Sequence, residues 1–196
     1  MTSLKSDSGS AEAAAKILLE KKIVILPTDT VYGFSGLAIA GGQKTNLDIS
    51  IDKIKKSPSS KPLIELVASP DDIRKYAGQE IPSALLEKWP GPLTLLVKNN
   101  AWYAALTGRE ATAFRCPGDE WLRQVISLCG GPIYSTSVNY SGQAVLETED
   151  EILAAFGKSA ALFVRDGDKR KALPSTLVSL LDGDIKILRQ GAAKLS

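Results

Sequence analysis

Hydroxyl-bearing residues gather at three places in this chain, each beside an apolar run. Thr28, Asp29 and Thr30 follow KIVILP; Ser135, Thr136, Ser137 and Asn139 close PIYSTSVN; Ser175 and Thr176 follow Pro174 and open TLVSLL. One such cluster is ordinarily a turn or a cap, because serine and threonine oxygens satisfy nearby backbone donors. Several clusters at strand ends can line one polar site, since open α/β sheets bind ligands in crevices at the ends of their strands. Two arginines close apolar strands, Arg115 in ATAFRCP and Arg189 in IKILRQG, while Lys53, Lys55, Lys56 and Lys61 flank the turn SPSS. An arginine whose stem is buried at a core edge points to a fixed anionic partner. The chemistry these types support is capture of a polar, anionic ligand by side chains and local amides, with Gly33 and Gly36 allowing close backbone approach.

The chain has 196 residues and no histidine. That absence removes Ser-His-Asp and Cys-His nucleophile pairs, H-E-x-x-H metal sites and the usual general base near neutral pH. Neither a Walker A nor a G-x-G-x-x-G sequence is present, so a phosphate would be held without those loops. With 24 basic and 22 acidic residues, anion binding must come from local placement and not from the overall field. Cys116 and Cys129 are too few for a disulfide framework and read as packing residues of a reduced compartment. No apolar run approaches the roughly 20 residues needed to cross a bilayer. The start has no continuous apolar core, so a cytoplasmic location without membrane attachment is expected.

The elements that must position these residues alternate in type. Residues 1–10 are small and polar and read as a flexible tail; Ser10 then caps an alanine-rich helix, and KIVILP is a buried strand. TNLDISIDKIKK suits a helix broken by SPSSK, and PLIELVA is a strand. SPDDIRKYA combines a capping serine, proline at the first helical position and two acids, which together start a helix. PSALLEKW is a further helix, followed by the strand LTLLVK. The second half has strands at ATAFRC, PIYSTS, ALFVR, TLVSLL and IKILR, with helices at EWLRQVISLC and TEDEILAAF. RDGDKRK reads as a solvated loop. Strands interleaved with helices imply an α/β fold, one domain over residues 11–196 with a mixed sheet covered by helices.

PTDTVYGFSG, KPLIELVAS, WPGPLTLLVK, FRCP, GGPIYSTSVNYSG and STLVSLLDGDIKILRQG occur in the order found in the YrdC/Sua5 family, which the chain resembles from about residue 27 to residue 191. The resemblance implies a twisted mixed α/β sheet with flanking helices around a concave, positively lined cavity. It implies a threonylcarbamoyl-AMP synthase, joining L-threonine, bicarbonate and ATP to give threonylcarbamoyl-AMP and pyrophosphate on the way to N6-threonylcarbamoyladenosine at position 37 of tRNA. Thr30, Arg115, Ser135 and Ser175 would surround threonine and its carboxylated intermediate. Lys55, Lys61, Ser137, Asn139, Val145 and Arg189 would lie near the nucleotide, with Lys55, Arg115, Ser137 and Asn139 closest to the chemistry. Mg²⁺ would accompany the triphosphate, with no protein ligand to it assigned. Implied partners are tRNA or double-stranded RNA, met through the lysine face, and the machinery that transfers the threonylcarbamoyl group.

Three positions depart from the family pattern. Its K-x-R motif falls on Lys55-Lys56-Ser57, so a hydroxyl stands where a guanidinium is expected; Lys56 or Lys61 is expected to supply the missing charge, although only as a point cation. Leu66 stands where many members have histidine, and Glu65 beside it is unusual. These departures open a second reading, a catalytically reduced YrdC-like protein that binds nucleotide or RNA without making the adenylate.

Overall fold

The computed structural model describes residues 1–57 and 62–195. Among them, ten strands form one mixed sheet and a two-stranded hairpin stands apart. The sheet has two centres. Its middle comprises β2 (Val24–Leu26), β3 (Gly33–Leu37), β9 (Ile133–Ser137) and β6 (Ile64–Leu66), joined antiparallel. Toward one side β6 continues parallel into β8 (Ala111–Arg115), then antiparallel into β7 (Leu93–Lys98), parallel into β11 (Thr176–Ser179) and antiparallel into the edge strand β12 (Lys186–Arg189). Toward the other, β2 pairs in parallel with β10 (Leu162–Arg165).

Beyond β10 lies a strand that the sequence analysis did not anticipate. β1 (Thr2–Leu4) pairs in parallel with β10, and the Met1 carbonyl accepts from the Phe163 amide at 2.9 Å. The expected flexible tail therefore carries an edge strand: the free edge of β10 offers backbone partners that even a short polar segment can use. Helix α1 (Ser10–Leu19) follows, but Ser10 is its first residue and not its cap. Gly9 occupies the cap position, while the Ser10 hydroxyl donates to the Lys5 carbonyl at 2.7 Å.

GFSGL, to which the sequence analysis assigns no element, forms β3 and is wholly buried. Two glycines make this strand possible. A Cβ on Gly33 would lie 2.8 Å from the Ser135 hydroxyl oxygen, and one on Gly36 would lie 3.0 Å from a methyl of Leu47. Neighbouring elements thus approach β3 so closely that a Cβ at either position would require Ser135 or Leu47 to shift. The hairpin β4 (Ile39–Ala40) and β5 (Gln43–Lys44) turns at Gly41 and Gly42, with φ of 60° and 73°, the left-handed pair a tight turn requires.

Helices pack on both faces. α1 lies against α5 (Glu120–Cys129), burying Ala14, Leu18, Leu122 and Val125 over Leu26 and Ile133. On the other side α2 (Leu47–Lys55) and α6 (Glu149–Phe156) enclose Phe34, Ile51, Tyr134 and Phe156. A third cluster, with Tyr76, Trp89, Tyr103 and Phe114, fills the half around β7 and β8. Ser69 caps its helix through a capping box with Asp72, as the sequence predicts, but Pro70–Lys75 winds as a 3-10 helix. A short helix α3 (Ser83–Leu86) comes next, and α4 (Ala101–Thr107), absent from the sequence reading, starts where the Asn100 side chain accepts from the Tyr103 amide and stops at Gly108. Cys116 and Cys129 are free thiols, each pushed by burial up to about 12, in keeping with packing residues. No helix among the described residues is long and apolar enough to cross a membrane.

Glu65 is fully buried, and its environment explains how the fold tolerates it. The Tyr103 hydroxyl donates to one carboxylate oxygen, and Arg109 approaches the other at 3.6 Å. Arg109 is itself shared with Asp48 at 2.7 Å, which also binds Lys44 at 2.8 Å. Burial raises the Glu65 carboxyl to about 7, against the opposing hydrogen bond from Tyr103 and the charge of Arg109. Between the free value of 4.5 and about 7 the folded chain therefore binds this proton more than the unfolded chain does. The sign follows: stability falls as pH rises through that window, by up to about 3 kcal/mol from this group. Glu65→Gln, which keeps an acceptor for Tyr103 but cannot ionise, is expected to flatten the dependence of urea unfolding on pH between 5 and 8. An unchanged slope would show that Glu65 is ionised throughout.

Candidate functional site

A cavity of about 540 Å³ opens where β3, β8, β9 and β11 end or begin. Its wall includes Thr28, Thr30, Lys55, Arg115, Ser135, Ser137, Asn139, Val145, Ser175 and Arg189. The structure thus brings together every residue that the resemblance places at the site except Lys61, which lies outside the described residues, whereas Lys53 and Lys56 do not line the cavity. Among the described residues positive charge dominates the wall, with Lys55, Arg115 and Arg189 against one acid, Asp52.

Arg115 is the most constrained of the cations. It closes β8, is buried, and directs its three nitrogens to three partners: Nε to the Gly91 carbonyl at 3.1 Å, Nη1 to the Thr30 hydroxyl at 2.9 Å and Nη2 to Asp29 at 2.5 Å. Burial lowers the guanidinium from its ordinary value while the charge of Asp29 opposes that shift. Thr28 serves the same turn, since its hydroxyl donates to the Val31 carbonyl at 2.8 Å and accepts from the Thr30 amide at 3.0 Å. The hydroxyls after β2 therefore build a turn that holds Arg115 at the cavity wall. Asp29 stands in the first hydroxyl cluster of the sequence but was assigned no part in the site; its place between Thr28 and Thr30 was the available signal.

Arg189 stands across the same space. It closes the exposed edge strand β12 and is itself exposed, unlike the buried stem expected from the sequence, with Nε and Nη2 donating to the Ser175 carbonyl at 3.1 and 2.8 Å and Nη2 also reaching the Ser175 hydroxyl at 3.2 Å. Ser175 in turn shares a 2.7 Å hydrogen bond with Thr94. Burial, and then the neighbouring charge of Arg115, pull the Arg189 guanidinium below its usual value. Two cations facing each other across a cavity repel until an anion lies between them. The approach of Gly191 to the Pro174 and Ser175 backbone fixes this corner, because a Cβ there would lie 2.2 Å from the Pro174 carbonyl oxygen.

The opposite end is built by the last turn of α2 and the exit from β9. Lys55 is buried, and its ammonium donates to the Ser137 carbonyl, to the Asn139 carbonyl at 2.9 Å and to the Asn139 side-chain oxygen at 3.0 Å. Burial lowers it to about 8, with Asp52 opposing. Asn139 also accepts from the Ser137 hydroxyl at 2.7 Å and donates to the Tyr140 and Gln143 carbonyls at 2.9 and 2.8 Å. Lys55 accordingly acts as an internal rivet whose three protons shape the loop after β9.

Lys56, one of two residues expected to replace the missing arginine, does not line the cavity. It adopts a left-handed conformation (φ 52°) at the end of α2, and its ammonium sits 4.8 Å from the centre of the Tyr140 ring. The left-handed turn swings its side chain away from Lys55 and onto an aromatic face that attracts cations. Ser57 does line the cavity.

A family profile described as Sua5_yciO_yrdC, telomere recombination, matches residues 16–191. The chain is 31% identical over 188 residues to the threonylcarbamoyl-AMP synthase of Pyrococcus abyssi, covering 93% of this chain and 54% of that one. It is 30% identical over 195 residues to the threonylcarbamoyl-AMP synthase of Shigella flexneri, covering 93% of this chain and 97% of the relative. Among solved structures, P. abyssi Sua5 complexed with L-threonine superposes with a TM-score of 0.81 at 28% identity, over 94% of this chain and 55% of that one. The chain thus spans about half the length of the Pyrococcus protein and nearly all of the Shigella one. With a profile that covers most of its length and relatives of this kind on either side, the chain belongs to the Sua5/YciO/YrdC family.

Proposed function

We propose that this protein is an L-threonylcarbamoyladenylate synthase, forming threonylcarbamoyl-AMP and pyrophosphate from L-threonine, bicarbonate and ATP for modification of tRNA in the cytoplasm. The observation that carries this reading is the convergence of Thr30, Arg115, Ser135 and Ser175 with Lys55, Ser137, Asn139, Val145 and Arg189 on the wall of a single cavity. One cavity of about 540 Å³ suits an amino acid and a nucleotide held end to end. L-threonine would lie beside Thr30, Arg115, Ser135 and Ser175, and Arg189 would lie near the nucleotide, where a phosphate relieves the repulsion between the two guanidinium groups.

The reaction needs no protein nucleophile. The free amine of threonine adds to the carbon of bicarbonate, water leaves, and the carbamate oxygen attacks the α-phosphorus as pyrophosphate departs. Both steps are accelerated by holding the reactants in contact and by stabilising negative charge. Arg189, exposed and with Nη1 turned to no described partner, is the group best placed to follow charge as it develops. Mg²⁺ brought with the triphosphate would neutralise the leaving pyrophosphate. The threonylcarbamoyl-AMP released would pass to transfer machinery acting on tRNA, and the lysine face carries any direct contact with RNA.

Two results test this assignment. Titration calorimetry with Mg²⁺ is expected to give tighter binding for ATP than for GTP or CTP; equal affinities would mean that only triphosphate charge is read. Arg189→Ala is expected to keep the fold and to lower pyrophosphate release by roughly one to two orders of magnitude, because a lost charge-assisted hydrogen bond to an anion costs roughly 1.5 to 3 kcal/mol. Full turnover in the folded variant would remove Arg189 from the site. Ser57 supports a second reading, a nucleotide-binding protein with reduced catalysis, since Lys56 does not replace the guanidinium and a hydroxyl cannot. In that case the calorimetric result stands while pyrophosphate release is absent.

A further inference from the structure

Asp52 is the one acid on the described wall of the cavity, and nothing in the predicted site accounts for it. It lies on α2 one turn before Lys55, at the end of the cavity formed by Ser137, Asn139 and Ser57. The residue is only 9% exposed, yet no described residue donates a hydrogen bond to its carboxylate or forms an ion pair with it. Nearby cations are engaged elsewhere. Lys55 gives its three protons to the loop after β9, and Arg109 is held by Asp48 at 2.7 Å. Asp48 adds a second negative charge behind Asp52. A buried, unpaired carboxylate is costly unless something from outside completes it.

A carboxylate facing a polyphosphate would repel it unless a cation stands between them. Mg²⁺ is ordinarily bound by one or two carboxylates together with substrate phosphates and retained waters, so a single aspartate is a sufficient protein contribution. Ser57, five residues further on and at the same end of the cavity, is neutral where the family resemblance implies an arginine. We propose that Asp52 is a ligand, directly or through a coordinated water, of the divalent cation that accompanies the bound nucleoside triphosphate, and that this cation supplies the charge the guanidinium would have supplied. The proposal rests on the nucleotide-binding part of the function given above. It makes this chain more dependent on metal for nucleotide capture than a protein carrying the arginine would be.

The test compares binding of a non-hydrolysable ATP analogue by calorimetry in excess Mg²⁺ and in EDTA, for the wild type and for Asp52→Asn and Asp52→Ala. In the wild type Mg²⁺ is expected to tighten binding at least about tenfold, and in both variants this gain should shrink to about twofold or less. Removing the negative charge should leave binding in EDTA equal or tighter, an outcome a variant that merely loosened the fold would not give. Manganese supplies a second readout: its electron paramagnetic resonance signal with the analogue should broaden on adding wild-type protein more than on adding Asp52→Asn. The same Mg²⁺ gain in the variants, or no gain in the wild type, would overturn the proposal while leaving nucleotide binding intact. Discrimination against the 2′-deoxy analogue lost in Asp52→Asn, with the Mg²⁺ gain unchanged, would overturn it in favour of a ribose contact. A wild type that binds the analogue in neither condition would overturn both this proposal and the function on which it rests.

Discussion

Replacing Arg115 with alanine is expected to abolish pyrophosphate release and to destabilise the fold by about 1 to 3 kcal/mol, less than for a fully buried ion pair because the Asp29 side chain is 18% exposed and reaches solvent. The guanidinium is buried at the end of β8 and holds Asp29, Thr30 and the Gly91 carbonyl at once. Its loss leaves the Asp29 carboxylate without its cation and the Thr30 hydroxyl and the Gly91 carbonyl without their donor. Arg115→Lys separates charge from geometry. A lysine restores one cation but cannot make three directed contacts, so stability should recover in part while turnover stays low. Near-normal turnover in Arg115→Lys would show that charge alone suffices at this position.

Lys55→Met is expected to weaken nucleotide binding by about two orders of magnitude, through the loop that the ammonium holds by the Ser137 and Asn139 carbonyls and the Asn139 side chain. Methionine has similar length and takes the shared donor from the Ser137 and Asn139 carbonyls, while the Asn139 side-chain oxygen keeps the Ser137 hydroxyl. Each buried acceptor left unsatisfied costs about 1 to 3 kcal/mol, and the loop can avoid that cost only by opening. The effect should therefore appear as faster hydrogen exchange at residues 137–143 together with the loss of affinity. Lost affinity with an unchanged exchange pattern would mean that Lys55 turns to the phosphate directly on binding.

Much of the site was legible because its residues sit in short blocks whose order and types survive in one dimension. Thr30, Arg115, Ser135, Ser137, Asn139, Ser175 and Arg189 each lie next to a strand end that hydropathy marks, and the sheet then brings those ends together. What could not be read depends on contacts between segments far apart in the chain. GFSGL looks like a loop by composition, and only the approach of Ser135 and Leu47 explains why glycine there makes a strand. The polar start carries no strand signal and is ordered by the free edge of β10. Lys56 looked equivalent to Lys55 until the left-handed turn at the end of α2 sent the two side chains apart. Asp52 resembled any helix-surface acid, and its burial comes from the cavity wall facing it.

The central claim is that this cavity joins an amino acid, bicarbonate and ATP, and pyrophosphate release by the purified protein tests it most directly. Release is expected when L-threonine, bicarbonate, ATP and Mg²⁺ are all present, and it should fall to background when threonine or bicarbonate is omitted. Release that continues without threonine, or none with all four present, would contradict the assignment.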